Sequence, residues 1–139
     1  MRNIATKVAW HLHGTPYRWG GDDPTEGFDC SGFVIEILKS VGILPRSGDW
    51  TASMLWSWFG EKQVISPYEG CLAFWNNGPE DRIVHVEYCL SDKLTIGASG
   101  GGSSTISPEA ASLSNAYIKV RPILNNTKLK GYVDPFMED

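Results

Sequence analysis

Residues 28–42, FDCSGFVIEILKSVG, have the clearest structural pattern in the chain. Their apolar side chains recur at the three- and four-residue spacing of one face of an α-helix. These side chains are Cys30, Phe33, Val34, Ile37, Leu38 and Val41. Asp29 precedes this face and Gly42 follows it, in positions that helix N-caps and C-terminal glycines prefer. The pattern therefore predicts an amphipathic helix that begins at Cys30.

Two properties of Cys30 follow from its place in this helix. Because it belongs to the apolar face, its side chain is expected to point toward whatever the helix packs against. Because it is the first helical residue, its sulfur lies at the positive end of the helix dipole, where unpaired backbone N–H groups favour a thiolate. Two interpretations stay open: a reactive thiol, or a small buried hydrophobe, as most free cysteines are.

The other elements are predicted in an order of helices first and strands afterwards. Residues 2–12 have helical periodicity, and a shorter helix is predicted over residues 51–59. The segment 17–29, rich in Gly, Asp and Pro, is predicted to be a loop. Strands are predicted at residues 71–75, 82–90, 93–98 and 116–124. This order predicts an α+β fold, with N-terminal helices packed on a mostly antiparallel sheet whose neighbours pair as a meander.

The composition of the 139 residues is that of an ordinary globular chain, with 42% hydrophobic and 20% charged residues. We expect one domain, residues 1–139, and a monomer. The net charge of −4, without a basic stripe, argues against nucleic-acid binding. No segment approaches the ~20 consecutive apolar residues that a membrane span requires.

The cysteines and histidines limit which side chains could act as nucleophile and base. They are Cys30, Cys71, Cys89, His11, His13 and His85. Three cysteines form no disulfide framework, and the spacings match no zinc motif, so we expect a free thiol and neither a metal nor another cofactor. His85 lies within a predicted strand, on the same face as Glu87, where a buried ring needs a partner. If the helix packs across this strand, Cys30 and His85 can form a thiolate–imidazolium pair; a structural histidine is the alternative.

Five segments together resemble the NlpC family of papain-like cell-wall cysteine endopeptidases. They are PYRWGGDDPTEGFDCSGFV, LPR, GCLAFW, HVEYCL and RPIL, in the order and spacing of the family. The resemblance implies a trimmed papain-like fold in which a helix begins at the nucleophilic cysteine and packs on a sheet that bears the histidine. It also implies hydrolysis of peptidoglycan stem peptides, usually between γ-D-glutamate and the following diamino acid.

The resemblance assigns roles to six residues of this chain. Cys30 would be the nucleophile and His85 the general base and then acid, with the backbone N–H of Cys30 in the oxyanion hole. The substrate-binding residues would be Tyr17, Asp29, Ser31 and Arg46. Tyr17 would place its hydroxyl beside the site, and the two residues that flank the nucleophile would hold the free amine of the stem peptide. Arg46 would bind a carboxylate through its planar guanidinium, unless it is only a surface charge.

One position departs from the family pattern. Members usually have a third polar residue, often histidine, on the strand after the catalytic histidine, where it orients the ring. By spacing, that position is Gly97 here, which has no side chain. Glu87, at a position where the family commonly has glycine, Ser99, a backbone carbonyl and water are the candidates for this role. We predict that Glu87 or solvent orients His85.

Two alternative functions stay open. The chain could be a thiol amidase or acyltransferase that acts on another γ-glutamyl amide. It could also be a wall-binding or virion structural module with a degraded site, as Gly97 suggests.

Four tryptophans, Trp19, Trp50, Trp56 and Trp58, could line a groove for a sugar–peptide ligand, although half of them are expected in the core. The location of the protein is left unspecified: the N-terminus predicts no signal peptide, so delivery by phage, delivery by a secretion system or origin in a longer chain all fit.

Overall fold

The computed structural model describes residues 1–16, 22–23, 27–48, 50–76, 82–99 and 117–138, with only the backbone described for residues 22, 23, 27, 28 and 99. The helices are α1 (Arg2–His11), α2 (Cys30–Ser40) and α3 (Ala52–Trp58), and a 3₁₀ turn follows at Gly60–Lys62. The strands are β1 (Asp22–Asp23), β2 (Gly27–Phe28), β3 (Gln63–Val64), β4 (Leu72–Asn76), β5 (Ile83–Cys89), β6 (Leu94–Ser99), β7 (Tyr117–Pro122) and β8 (Leu129–Val133). Within these ranges no helix is long and apolar enough to cross a membrane.

Helix α2 has the boundaries that its sequence predicts. The side chain of Asp29 accepts a 2.6 Å hydrogen bond from the backbone N–H of Gly32, which caps the first turn. Just past the C-terminus, Gly42 has φ +79°, a conformation that glycine adopts without steric cost. The predicted start at Cys30 is therefore confirmed.

The strands form a six-stranded sheet in the order β3-β8-β4-β5-β6-β7, and all its pairings are antiparallel. Strands β4 to β7 pair as the predicted meander. The prediction omitted β8, which pairs with the other side of β4. Its sequence, LKGYV, gives a weak strand pattern because Gly131 interrupts it, and the ring of Trp56 packs in the space beside this glycine.

The prediction of an uninterrupted loop over residues 17–29 is wrong. Strands β1 and β2 pair antiparallel just before α2, with Asp22 opposite Phe28 and Asp23 opposite Gly27. Two-residue strands are too short to show an alternating pattern, so only tertiary pairing identifies them.

The main core lies between the helices and one face of the sheet, as the predicted α+β class requires. It includes Phe33, Ile37 and Leu38 of α2, which are fully buried, together with Val86 and Tyr88 of β5. The opposite face of the sheet has a smaller apolar cluster: Cys71, Ala73, Trp75 and Cys89. Strand β5 contributes to both clusters and therefore places side chains on two sides of the molecule.

A polar cluster joins the N-terminal helix to the C-terminal segment. Both carboxylate oxygens of Asp134, which is 3% exposed, accept hydrogen bonds from the guanidinium of Arg2, at 3.0 and 3.1 Å. The hydroxyl of Tyr68 donates to the same carboxylate at 2.6 Å, and the backbone N–H of Phe136 donates at 3.0 Å. The rings of Tyr68 and Phe136 also lie within 5.4 Å of the guanidinium carbon. We call these four residues the terminal cluster.

Candidate active site

An irregularity in the sheet determines where the side chain of His85 lies. His85 pairs with Trp75 of β4, but the next pair joins Asn76 to Ile83, so Val84 is an extra residue in β5. This bulge shifts the alternation of side chains, so that Ile83 contributes to the main core while Glu87 lies on the opposite face.

The N-terminus of α2 lies against this bulge. The sulfur of Cys30 is 4.0 Å from the carbonyl oxygen of Val84, and the Cys30 side chain is partly exposed. Burial lowers the pKa of His85, but hydrogen bonds with Cys30 and Glu87 outweigh this effect and raise the pKa to about 9. The helix and the strand therefore bring together the thiol and the imidazole that the sequence singled out.

The second partner of His85 is Glu87, two residues along the same strand. Nε2 of His85 lies 2.5 Å from Oε2 of Glu87, whose side chain has no exposed surface. The other carboxylate oxygen accepts a 2.7 Å hydrogen bond from the hydroxyl of Thr95. Of the candidates left open for contacting His85, the structure places Glu87 against the ring; the side chain of Ser99 lies outside the described residues.

Arg121 of β7 reaches the same carboxylate across strand β6. Its Nε donates to Oε1 of Glu87 at 3.2 Å, and its Nη2 donates to Oε2. Burial raises the pKa of Glu87, but the contacts with His85 and Arg121 outweigh it, so the pKa lies below its usual value. Glu87 is therefore an ionised, fully buried carboxylate between two cationic side chains.

The structure gives a steric reason for glycine at position 97. A Cβ atom at this position would lie only 2.5 Å from Cγ of Glu87 and 3.1 Å from its Cβ. The carboxylate arm thus occupies the volume that a side chain at position 97 would need. Gly97 does not leave the imidazole without a partner, because the partner comes from Glu87 instead.

Trp75 forms one wall beside the imidazole. Its ring centroid is 5.4 Å from that of His85, and it is only 5% exposed. Its indole N–H donates to the carbonyl of Leu124 at 2.8 Å, which fixes the ring. Together, Trp75 and Glu87 restrict His85 from two directions.

The four residues expected to bind substrate differ in their placement. Tyr17 lies outside the described residues. Asp29 and Ser31 flank Cys30, and Oγ of Ser31 donates to the carboxylate of Asp29 at 3.3 Å. Arg46 instead lines a cavity of about 330 Å³ with Lys39 and Ser40, at the end of α2 opposite to Cys30. At a rise of about 1.5 Å per residue, α2 separates its two ends by roughly 15 Å, so the structure does not bring Arg46 to Cys30.

The remaining thiols and histidines lie away from this arrangement. Cys71 and Cys89 are fully buried, and burial raises the pKa of both thiols. His11 and His13 are exposed. Among the described residues, no group of three or more His, Cys, Asp and Glu side chains could hold a metal ion.

The tryptophans divide between core and surface. Trp56 packs against Phe74 of the core, with ring centroids 5.1 Å apart, whereas Trp58 is 61% exposed. Trp50 contacts Trp58 edge to face and with it lines a shallow cavity of about 360 Å³. Trp19 lies outside the described residues.

Sequence reasoning missed three residues around the His85–Glu87 pair: Thr95, Arg121 and Trp75. Arg121 belonged to a recognised segment, RPIL, but nothing near it in the chain indicates a buried carboxylate partner. The one local feature that could have indicated a role for Thr95 and Arg121 is that both are polar residues within predicted strands. The register, which sets Thr95 opposite Arg121, was needed to bring them to Glu87.

Several solved structures and curated proteins resemble this chain. The crystal structure of the NlpC/p60 domain of the peptidoglycan hydrolase SagA matches with a TM-score of 0.68 and 26% identity, and the match covers 96% of this chain and 97% of that domain. The probable peptidoglycan endopeptidase LytE of Bacillus subtilis (strain 168) is 34% identical over 116 residues, which are 79% of this chain and 29% of LytE. The gamma-DL-glutamyl hydrolase of the same organism is 38% identical over 98 residues, 60% of this chain and 22% of that protein.

This chain spans less than a third of the length of these two curated relatives. The match with the SagA domain is nearly complete in both directions, so the shared unit is the domain itself. The family model described as NlpC/P60 matches residues 14–123, which include α2, the sheet strands β3 to β7 and both His85 and Glu87. The chain therefore belongs to the NlpC/P60 family.

Proposed function

We propose that this chain is a cysteine endopeptidase that hydrolyses peptidoglycan stem peptides at the bond between γ-D-glutamate and the following diamino acid. The observation that supports this function most is the chain of contacts Cys30–His85–Glu87 at the N-terminus of α2. A nucleophile, a base and a group that orients the base are the three parts that thiol-based acyl transfer requires.

The names of two relatives support peptidoglycan stem peptides as the substrate. LytE is named a probable peptidoglycan endopeptidase, and the second relative is named a gamma-DL-glutamyl hydrolase. The first name supports a peptide bond of peptidoglycan, and the second supports cleavage beside a γ-linked glutamyl residue.

In the acylation step, the thiolate of Cys30 attacks the carbonyl carbon of the γ-glutamyl amide and forms a C–S bond. The resulting oxyanion would accept a hydrogen bond from the backbone N–H of Cys30. In the described part of the chain, this N–H has no internal partner, whereas those of Gly32 and Phe33 bond to Asp29. The C–N bond then breaks as the imidazolium of His85 donates its proton to the leaving amine nitrogen.

In the deacylation step, water attacks the thioester and gives its proton to the neutral imidazole. The C–S bond breaks, the glutamyl carboxylate leaves, and the thiolate–imidazolium pair is restored. Because Nε2 of His85 faces Glu87, Nδ1 is the nitrogen available for these transfers. Glu87 accepts the Nε2–H bond throughout, which selects the tautomer and the orientation of the ring.

Digestion of purified sacculi tests this function. The wild-type chain is expected to release muropeptides with a new N-terminus at the diamino acid, identified by mass spectrometry. Cys30→Ala is expected to release none, and His85→Ala to lower the rate by about 10³-fold or more. His13→Ala is the matched control for the histidine, because His13 is exposed, and it should retain the wild-type rate.

Three outcomes would contradict the proposal. Release of the same products by Cys30→Ala would exclude the thiol as nucleophile. Products cut at a different bond, or turnover only of small γ-glutamyl amides, would indicate another amidase or acyltransferase. Binding to sacculi without any release would indicate a wall-binding module.

A further inference from the structure

Glu87 lies beside the imidazole that would exchange protons in the proposed reaction. It is fully buried, and the groups that face it come from three strands: His85 and Cys89 of β5, Thr95 of β6 and Arg121 of β7. Cys30 of α2 faces the other side of His85. Among these described groups, Arg121 is the one that carries a guanidinium, a cation with donors only.

A buried carboxylate needs a partner whose charge does not change. In the proposed reaction His85 alternates between imidazolium and neutral imidazole, so it balances Glu87 in only half of the cycle. When His85 is neutral, an unpaired carboxylate at this depth would favour taking up a proton, since burial penalises the charged form. A protonated Glu87 would then offer the ring a donor as well as an acceptor, and the ring orientation would no longer be unique.

The geometry of Arg121 fits this requirement. Its guanidinium contacts both carboxylate oxygens, through Nε and Nη2, in the planar arrangement that a single ammonium group cannot reproduce. Nη2 also lies 3.3 Å from Nε2 of His85. Since a guanidinium has only donors, Arg121 and the Nε2–H of His85 share Oε2 of Glu87 as their acceptor. The positive charge of Arg121 therefore acts on both members of the pair.

We propose that Arg121 is a positioning residue of this site, which keeps the buried Glu87 ionised against His85 through the whole reaction and limits the negative charge that His85 senses. This proposal rests on the proposed function for the roles of Cys30 and His85. The proposal also explains how the carboxylate of Glu87 can take the place of the polar side chain expected at position 97. The guanidinium of Arg121, on β7, supplies the positive charge that balances this carboxylate.

The pH dependence of Cys30 alkylation measures this effect without any peptidoglycan substrate. Cys71 and Cys89 are buried, so iodoacetamide is expected to modify Cys30 alone. The rate should change in two steps with pH, one for formation of the thiolate–imidazolium pair and one for loss of its imidazolium proton. These steps belong to the Cys30–His85 pair, whose charges Glu87 and Arg121 both influence.

Two substitutions are expected to move the steps in opposite directions. Arg121→Met removes a positive charge and should move both steps to higher pH, by about one unit for the upper step, since charges within ~4–6 Å shift a pKa by roughly 1–3 units. Glu87→Gln removes a negative charge and should move the upper step to lower pH by a similar amount. Arg121→Lys keeps the charge but not the two-point contact, so it should move the steps in the same direction by less than Arg121→Met does, which separates charge from geometry.

Lys93→Met is the matched control, because it removes an exposed positive charge in the turn between β5 and β6 and should move neither step. If Arg121→Met does not fold, Glu87→Gln and the double variant Arg121→Met with Glu87→Gln are compared instead. Relative to Glu87→Gln alone, the double variant should have its upper step at higher pH, because it also lacks the guanidinium that lies beside Nε2 of His85.

The proposal is wrong if folded Arg121→Met has both steps within 0.2 pH units of the wild type, or moves them to lower pH. It is also wrong if Lys93→Met shifts them as much as Arg121→Met does. Failure of the proposed function has a different signature: a wild-type chain that shows the two alkylation steps but releases no muropeptides.

Discussion

Among the residues that the structure describes, two carboxylates are buried, and each is bound by an arginine from a distant part of the chain. Asp134 in the terminal cluster is 3% exposed and binds Arg2; Glu87 is fully buried and binds Arg121. In both, contacts with cationic side chains hold the pKa of the carboxyl group below its usual value despite burial. In both places, a hydrogen-bonded arginine therefore offsets the free-energy cost of burying a carboxylate.

They differ in their third partner. Asp134 binds the hydroxyl of Tyr68, whose pKa is raised by this hydrogen bond and which stays neutral in the physiological range. Glu87 binds His85, a titratable imidazole whose pKa is raised to about 9 and which also contacts Cys30. The two clusters thus differ in that the third partner of Asp134 is a neutral phenol, whereas the third partner of Glu87 is the imidazole proposed to exchange protons in catalysis.

The largest predicted difference is in the effect of removing each negative charge. Glu87→Gln should lower kcat/KM for muropeptide release by about 10²-fold, because the imidazole loses the anion that orients it and stabilises its charged form. Asp134→Asn should change kcat/KM by no more than about twofold once the folded fraction is equal, because its partners are all structural. The measurement is initial rates on sacculi at a temperature where both variants are folded. Equal losses of activity in the two variants would break the distinction between the clusters.

A smaller effect is expected at the glycine that makes room for each cluster. A Cβ at position 97 would collide with Cγ of Glu87 at 2.5 Å, and one at position 70 would lie 2.6 Å from Cγ of Arg2. Gly97→Ala should therefore lower activity about tenfold by moving Glu87 away from His85. Gly70→Ala should instead lower the free energy of unfolding by about 1–2 kcal/mol with little change in activity, since Gly70 also has φ +95°.

Urea unfolding together with initial rates tests this pair of glycines. The predicted contrast between the two glycines would be wrong if Gly97→Ala lowered only the free energy of unfolding. It would also be wrong if Gly70→Ala lowered kcat/KM in proportion to its loss of stability. A Gly97→Ala variant with unchanged kcat/KM would also show that Glu87 can orient the imidazole from a different position.

The smallest predicted difference is in the pH dependence of stability. The pKa of Asp134 is below its usual value of 3.8, so the stability it contributes is present above that pH and is lost as the pH falls further. The pKa of His85 is raised from 6.5 to about 9, so its contribution is complete below pH 6.5 and is lost as the pH rises to about 9. The unfolding free energy of the wild type should therefore decline between pH 6.5 and about pH 9. His85→Ala should abolish most of this alkaline decline, whereas Asp134→Asn should leave it unchanged.

Much of the fold and the central pair of the site could be predicted before the structure. Helix α2, the position of Cys30 at its start and the strand that contains His85 all follow from spacings within about 12 residues, which local sequence records directly. The β3 and β8 strands and the β1–β2 pair were missed because they are short or contain glycine, and because partners distant in the chain stabilise them.

The ion-pair network could not be predicted to the same extent. Glu87 was a candidate because it lies two residues from His85, but Arg121 is 34 residues away and reaches it across an intervening strand. Its approach depends on the register that pairs β5, β6 and β7, and on the space beside Gly97. A change of register by one residue would turn Arg121 to the other face of the sheet.

Local patterns in the chain thus specify the boundaries of helix α2, the candidate nucleophile and the candidate base, because capping and periodicity act between near neighbours. The identity of the group that contacts His85, and the counter-charge that accompanies it, arise only when three strands are aligned. Electrostatic interactions between buried groups depend on distances of a few ångströms in space, and separation along the chain does not encode those distances.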